Sequence, residues 1–382
     1  AAHRRSAHQI SSPQVDGAPH SDHGVDRRVR QGQDVVVTVT KNPAIGIGWL
    51  KEARQKISAI DLDVLVHLDL TLNPMSHRVA MSRLAPVQAC SGHTMSSGID
   101  RKVISYYISW GAAEGTAAQR HYTEKLYLLP NGTLHQYYER RVEGCGTDGC
   151  GEGPNRGMQA VDPEPTSKVD GQPFRKLGRK GFDRFAPSDG RWYVCMQQPF
   201  KRGVEFDGIV AGIHASDPEA RVLLHDVETA ESNRTVIQRF LKAGVDLDRV
   251  HFLPPQPHHR LLALYYHSDM VLDAFPASGC ATSREALEAG ALVVTLPAKY
   301  LGSRWTTAYY RTIGVTELIA TDAADYVEKA VRYALNPTDR AELSGRILKA
   351  LPALFKRDDA VEAWEEALSK MARGEVEPAG AK

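Results

Sequence analysis

The segment Ser268–Arg304 constrains the fold of this chain more than any other stretch. Its apolar run Met270–Phe275 has the length of a strand, and Pro276–Thr282 is a run of small residues with a glycine at its centre. Ser283–Ala289 predicts a helix ended by a glycine, and Ala291–Leu296 predicts a second strand closed by a proline. The order strand, helix, strand is a βαβ unit, which places the two strands in parallel in an α/β fold.

The helix of this unit begins where a strand ends, and that position favours an anion. The first amides of a helix have no partner within it, and they lie at the positive end of its dipole, which suits phosphate. Glu285, near the start of the helix, can accept hydrogen bonds from sugar hydroxyls. Two interpretations follow from the spacing: a nucleotide diphosphate with its ribose near Glu285, or an ordinary connection with a surface glutamate.

A second candidate for anion binding is Lys201, which follows the predicted strand Arg191–Met196. A lysine just beyond the carboxyl end of a strand faces the crevice in which open α/β sheets bind ligands. Its compact charge suits a phosphate group. The alternative is a solvated surface lysine.

Composition limits the class of protein. The chain has 382 residues, of which 42% are hydrophobic, enough for two packed lobes. Its formal net charge of +1 predicts no general affinity for nucleic acid or an anionic membrane. No apolar run approaches the ~20 residues of a membrane span, and we expect no secretion signal. The five scattered cysteines favour a reducing compartment, so an intracellular location, cytoplasmic or nuclear, is predicted.

Patterning along the chain predicts five segments. They are a disordered leader at 1–33, an N-terminal Rossmann-like lobe at 34–143, a linker or insertion at 144–190, a C-terminal lobe with closing helices at 191–373 and a frayed tail at 374–382. The leader lacks hydrophobic periodicity, and the predicted linker is rich in glycine, proline, aspartate and lysine. The first lobe opens on the predicted strand Asp34–Thr40.

Two separate stretches resemble the protein O-GlcNAc transferase family. LDAFPASGCATSREALEAGALVVTLPAKYLGSR resembles the family's nucleotide-sugar segment, with its L-D-x-x-P-x-x-G-x-x-T-x-x-(D/E) pattern. The N-terminal half carries RLAPVQA and YTEKLYLLP, similar to the family's R-x-A-P-(I/V)-Q-A and Y-x-E-K-L-x-x-x-P. The likeness covers roughly Leu62–Pro130 and Arg191–Glu328.

The resemblance implies a GT-B type of α/β fold, two Rossmann-like lobes facing across a cleft. The N-terminal lobe would be incomplete, because the family's H-P-x-S-H loop has no clear counterpart before Asp63. The implied reaction is inverting, metal-independent transfer of N-acetylglucosamine from UDP-GlcNAc to Ser or Thr hydroxyls of a protein or peptide acceptor. No cofactor, metal or nucleic-acid partner is expected.

The same resemblance implies roles for individual residues. Lys201, in the family's N-x-x-Q-x-x-K motif, would act catalytically on the diphosphate. The residues implied to bind substrate are Gly92, Gln198, Gln256, His258, Cys280, Ala281, Thr282 and Glu285. Cys280 stands where the family usually has histidine, and Cys195 stands where it has asparagine.

Other functions remain as alternatives. The chain could be a catalytically silent UDP-sugar-binding relative, a transferase for another sugar or acceptor, a sugar-nucleotide epimerase or a scaffold. Asp61-Leu-Asp63 and Asp246-Leu-Asp248 resemble the Asp-x-Asp pair with which another glycosyltransferase fold holds a divalent metal, but both also suit ordinary turns before strands.

Overall fold

The computed structural model describes residues 48–68, 70, 73–92, 96–130, 132–143, 164–226 and 230–376. The predicted leader and the predicted strand Asp34–Thr40 lie outside these residues. The chain forms two compact units: the first contains 1–135 and 359–382, and the second contains 136–358. No helix in the described part of the chain has the length and apolar character needed to cross a membrane.

Both units are built from helices and short strands. The strands are β1 Val64–His67, β2 Val87–Cys90, β3 Tyr106–Trp110, β4 Lys125–Leu129, β5 Val142–Glu143, β6 Thr166–Ser167, β7 Arg191–Cys195, β8 Ala220–His225, β9 Val250–Leu253, β10 Met270–Leu272 and β11 Val293–Val294. The α-helices are α1 Gly48–Ser58, α2 Pro74–Ala80, α3 Val204–Ser216, α4 Ala230–Lys242, α5 His258–His267, α6 Ala281–Glu288, α7 Trp305–Ile313, α8 Ala323–Leu335, α9 Pro337–Ala350 and α10 Asp358–Ala372.

The first unit contains a parallel sheet whose strands follow one another in chain order, β1-β2-β3-β4. Helix α10 closes one face of this sheet, because Ala363, Ala367 and Met371 are spaced by one helical turn and form a buried stripe. They pack against Ile108 and Leu129 of β3 and β4. The prediction that this helix closes the C-terminal lobe is therefore wrong.

The second unit contains a parallel sheet in the order β11-β10-β7-β8-β9. The chain starts at the central strand β7 and runs outward through β8 and β9. It then returns to the other side of β7 as β10. Because the direction of winding reverses between β7 and β10, their carboxyl ends border a crevice of the kind in which open α/β sheets bind ligands.

Part of the predicted linker at 144–190 is a packed portion of the second unit. Strand β6 pairs with β5 in antiparallel fashion, and the rings of Phe174 and Phe182 are fully buried. These two aromatic residues outweigh the polar composition that suggested a linker. Strand β5 also belongs to the second unit, which shortens the predicted N-terminal lobe of 34–143 at its end.

Candidate functional site

The loop between β10 and α6 is organised by the buried carboxyl group of Asp273. Its Oδ1 accepts from the Gly279 amide at 2.7 Å, and its Oδ2 accepts from Thr295 Oγ1 at 2.8 Å. Burial raises the pKa of Asp273 to about 6. The aspartate near the end of the predicted strand thus fixes the position of the small-residue loop.

Gly279 sits where no side chain fits. A Cβ atom at this position would lie 2.0 Å from Gln197 Nε2, 2.3 Å from Ser283 Oγ and 2.8 Å from Thr282 Oγ1. The requirement is therefore steric. The absence of a side chain lets the loop backbone approach the residues that follow β7, as its small-residue composition predicts.

Helix α6 starts at this loop, at the carboxyl edge of the sheet. Its first residues are the predicted Ala281, which is exposed, and Thr282, which is half-buried. Cys280 holds the N-cap position, and within the described residues its side chain makes no capping hydrogen bond to the helix. The first backbone amides of α6 are therefore available to a ligand, at the positive end of the helix dipole.

Lys201 joins the ends of β7 and β10. Its Nζ donates to the Ser278 carbonyl oxygen at 3.1 Å and contacts Gln197 Oε1 at 3.4 Å. Gln197 in turn donates from Nε2 to Thr282 Oγ1 at 2.8 Å. An ammonium group and the start of a helix are thus connected at the point where the strand order reverses, where the sequence predicts an anion site.

The structure distinguishes the two neighbouring glutamines. Gln197 is buried and bonded to both Lys201 and Thr282, whereas Gln198, the residue that the family motif implicates, is exposed. Sequence reasoning missed Gln197. The double glutamine after β7 was the available signal, since consecutive side chains of an extended segment point in opposite directions.

A buried cation lies under the first turn of α6. Arg284 donates to Tyr309 Oη at 2.9 Å, and its guanidinium lies 3.8 Å from the centre of the Tyr138 ring. Cys280 Sγ is 3.2 Å from the same Tyr309 hydroxyl. The arginine adds fixed positive charge near the helix end, and it too was missed by sequence reasoning.

Glu285 is buried on α6 and faces His258, the first residue of α5. His258 Nε2 lies 3.4 Å from Glu285 Oε1, and His258 Nδ1 lies 2.7 Å from Ser167 Oγ. The structure thus brings together two predicted residues and adds a serine from the predicted linker.

The two remaining predicted residues, Gln256 and Gly92, make other contacts. The Gln256 side chain donates to the Pro254 carbonyl oxygen at 2.8 Å and accepts from Arg260 at 3.0 Å, so it braces the start of α5. Gly92 belongs to the first unit, where its carbonyl oxygen accepts from Tyr107 at 3.1 Å just after β2.

The Asp-x-Asp alternative falls on turns in the structure. Asp246 caps a short helical turn by accepting from the Asp248 amide at 3.1 Å, and it forms a 2.8 Å ion pair with Arg249. Asp61 has a positive φ of 57° in the turn after α1. These local roles favour the turn interpretation of both motifs.

Sequence comparison finds a family model that matches part of the second unit. Residues 218–356 match the model of glycosyl transferase family 41. This finding confirms the resemblance to the protein O-GlcNAc transferase family for that segment. The segment contains Gln256, His258, Cys280 and Glu285.

Two curated relatives are similar over shorter stretches. The probable UDP-N-acetylglucosamine–peptide N-acetylglucosaminyltransferase SPINDLY of Solanum lycopersicum is 31% identical over 114 residues, which cover 28% of this chain and 12% of that protein. The UDP-glucose:protein N-beta-glucosyltransferase of Actinobacillus pleuropneumoniae serotype 5b is 28% identical over 125 residues, covering 32% of this chain and 20% of that protein. The matches therefore span well under two thirds of these relatives.

Solved structures extend the likeness to nearly the whole chain. A mutant O-GlcNAc transferase of Thermobaculum terrenum matches with a TM-score of 0.64 and 22% identity, covering 85% of this chain and 56% of the other. Sucrose-phosphate synthase of Thermosynechococcus elongatus matches with a TM-score of 0.52 and 14% identity, covering 96% and 88%. The predicted GT-B type of α/β fold is thereby confirmed.

Proposed function

Because residues 218–356 match glycosyl transferase family 41, we propose that this chain is a glycosyltransferase that takes its sugar from a UDP-sugar. The observation that carries the proposal is the junction at the switch point of the second sheet. There Lys201 and Gln197 connect the end of β7 to the uncapped start of α6. An ammonium group beside free amides is the environment that a diphosphate requires.

The finer proposal is transfer of N-acetylglucosamine from UDP-GlcNAc to a Ser or Thr hydroxyl of a protein acceptor in the cytoplasm or nucleus. The acceptor oxygen attacks the anomeric carbon as the bond from that carbon to the phosphate oxygen breaks, which inverts the configuration. The bonding electrons leave with UDP, and the hydroxyl proton passes to a base. The resemblance and the relatives' activities support this choice of sugar and acceptor.

The departing diphosphate gains negative charge during this step. Lys201 and the first amides of α6 would stabilise that charge, so the chemistry needs no metal ion. Removing one preorganised electrostatic group of this kind typically costs on the order of a hundred- to a thousandfold in rate. Cys280, Ala281 and Thr282 would contribute through the backbone, and Glu285 would bind ribose hydroxyls.

A second candidate is a UDP-sugar-binding protein without transferase activity. The observation that favours it is Cys280, which stands at the N-cap of α6 where the resembling family usually has histidine. A thiol does not replace the donor and acceptor capacity of an imidazole. Both candidates use the same nucleotide site, so they differ in turnover and not in UDP affinity.

The test of the nucleotide site is calorimetric titration of UDP and UDP-GlcNAc. We expect micromolar-range UDP binding to the wild-type chain and at least about tenfold weaker binding to Lys201→Ala, a loss of about 1.4 kcal/mol. Lys242→Ala removes an exposed lysine at the end of α4 and serves as the matched control, with unchanged affinity. A folded wild-type chain that binds neither ligand would contradict the proposal.

Turnover separates the two candidates. Release of UDP from UDP-GlcNAc in the presence of a Ser/Thr-rich peptide pool, with sugar appearing on the peptides, supports the transferase. Tight UDP binding with no release and no labelled peptide supports the silent relative.

A further inference from the structure

The hydroxyl of Ser167 makes three hydrogen bonds, although the side chain is completely buried. Its Oγ lies 3.2 Å from the Val169 amide nitrogen, 3.3 Å from the Asp170 amide nitrogen and 2.7 Å from His258 Nδ1. The first two contacts shape the turn after β6. The third reaches the first residue of α5, in the candidate nucleotide site.

The direction of each bond follows from what each group can donate. Backbone amides only donate, and a serine oxygen has two lone pairs and one hydrogen. Because the two amides occupy both lone pairs, Ser167 donates its own hydrogen to His258 Nδ1. In the neutral ring Nδ1 is then the bare nitrogen, and the ring proton is on Nε2.

The protonated nitrogen points toward Glu285. His258 Nε2 is buried, lies 3.4 Å from Glu285 Oε1 and makes no hydrogen bond within the part of the chain that the structure describes. The two side chains are only 11% and 9% exposed. A buried donor without a hydrogen-bond acceptor is unfavourable, so a group that satisfies it gains binding energy. A hydroxyl can do so, because it accepts from Nε2–H and donates to the carboxylate.

We infer that Ser167 is a positioning residue for the nucleotide site. It selects the tautomer of His258, and His258 with Glu285 then presents one donor and one acceptor to a sugar hydroxyl. The ligand class is a nucleoside diphosphate with an intact ribose diol. This inference rests on the proposed function, and it adds Ser167 as the residue that orients His258 beside Glu285.

The turn that carries Ser167 is held to α5 at a second point. Asp170 accepts from the His259 amide at 3.1 Å and lies 2.8 Å from His259 Nδ1. The turn is therefore fixed relative to the start of α5 independently of the serine hydroxyl. Removing that hydroxyl should alter the imidazole of His258 without releasing the turn.

The first measurement needs no substitution. Long-range ¹⁵N–¹H spectra of the histidine-labelled wild-type chain report which ring nitrogen carries the proton, and the spectrum of His258→Gln identifies the His258 signals. We expect the Nε2–H form at a pH where the ring is neutral, and a shift toward mixed tautomers in Ser167→Ala. A predominant Nδ1–H form in the wild-type chain overturns the inference, even if Ser167→Ala does not fold.

The second measurement compares affinities for UDP and 2′,3′-dideoxy-UDP by calorimetry. We expect the wild-type chain to prefer UDP by on the order of tenfold, and Ser167→Ala to lose most of that preference. Ser268→Ala is the matched control, since its buried hydroxyl donates to the Tyr265 carbonyl oxygen at the other end of α5. Its preference should stay within about twofold of the wild-type ratio.

A double-mutant cycle separates positioning from general destabilisation. If Ser167 acts through the imidazole, Ser167→Ala should not change the preference further in a His258→Gln background. An additive loss, or an unchanged preference in Ser167→Ala, contradicts the inference. Absence of UDP binding to the wild-type chain contradicts the proposed function instead, while the tautomer measurement still decides the role of Ser167.

Discussion

The two parallel sheets of this chain differ in the order of their strands. In the first unit the described strands follow the chain, β1-β2-β3-β4, without reversal. In the second unit the winding reverses between β7 and β10, and the candidate nucleotide site lies at the carboxyl ends of those two strands. Both sheets are parallel and largely buried, so hydrophobic composition does not explain the position of the site. Strand order does.

The polar groups near the strand ends also differ between the two units. In the first unit Glu124 is buried and accepts from the Ser97 amide at 2.8 Å and from Ser96 Oγ at 2.6 Å. That carboxylate is satisfied by two serines from another segment of the same unit. In the second unit, the structure gives the Cys280 side chain no capping bond to the start of α6, and Lys201 is partly exposed, so donors are left for a ligand.

The largest expected effect is a loss of stability in the first unit alone. Met371→Ala removes a fully buried side chain between α10 and the first sheet, which should cost roughly 2–5 kcal/mol of unfolding free energy. Hydrogen exchange with mass spectrometry should show lost protection in β2–β4. Val361→Ala, on the exposed side of the same helix, should have almost no effect. Equal loss of protection in β7–β9 would show that the two units do not unfold separately.

A second prediction concerns the contact that holds the end of α6 in the second unit. Glu288, at the end of α6, accepts from the Arg141 and Val142 amides, and burial raises its pKa to about 7. Because the folded pKa lies above the usual 4.5, the stability gained from the neutral form is complete below pH 4.5 and is lost as pH rises through 7.

Glu288→Gln should abolish this loss, which amounts to about 3 kcal/mol. Chemical denaturation at several pH values should show that the unfolding free energy of the variant rises relative to that of the wild-type chain between about pH 4.5 and 7. Glu362→Gln, an exposed change in the first unit, is the control and should leave the pH profile unchanged. Parallel profiles for Glu288→Gln and the wild-type chain would contradict the assignment.

A third change tests the close approach at the switch point. Gly279→Ala places a methyl group on Gln197, Thr282 and Ser283, and the overpacking should weaken UDP binding by on the order of a hundredfold, about 2.7 kcal/mol. Gly208→Ala in α3 is the matched control, since its new methyl group meets nothing within 4 Å. Calorimetric UDP affinity that is equal for both variants would place the ligand elsewhere.

The smallest expected effect distinguishes the two glutamines after β7. Gln197→Ala removes the bonds to Lys201 and Thr282 and should weaken UDP binding about tenfold. Gln198→Ala changes an exposed residue and should leave the affinity within about twofold. The reverse order of effects would restore the assignment made from the family motif.

Local patterns predicted much of the second unit correctly. The apolar run before Asp273 forms β10, and the helix predicted at Ser283–Ala289 is observed at Ala281–Glu288. The glycine-centred loop was identified because small residues are needed where backbones approach closely. Errors arose where packing outweighed composition, as in the predicted linker that contributes Phe174, Phe182 and Ser167 to the second unit.

The sequence by itself determined the class of fold and identified the candidate residues that follow β7 and β10, because strand length, helix periodicity and turn residues are local properties. Only the tertiary structure decided which of these residues meet. Strand order brings Lys201 to the loop before α6, and burial turns Gln197 inward. The tertiary structure also brings Ser167 into contact with His258, which lies 91 positions further along the chain. Hydrogen-bond partners so distant in the chain are set by the assembled core, which no local pattern encodes.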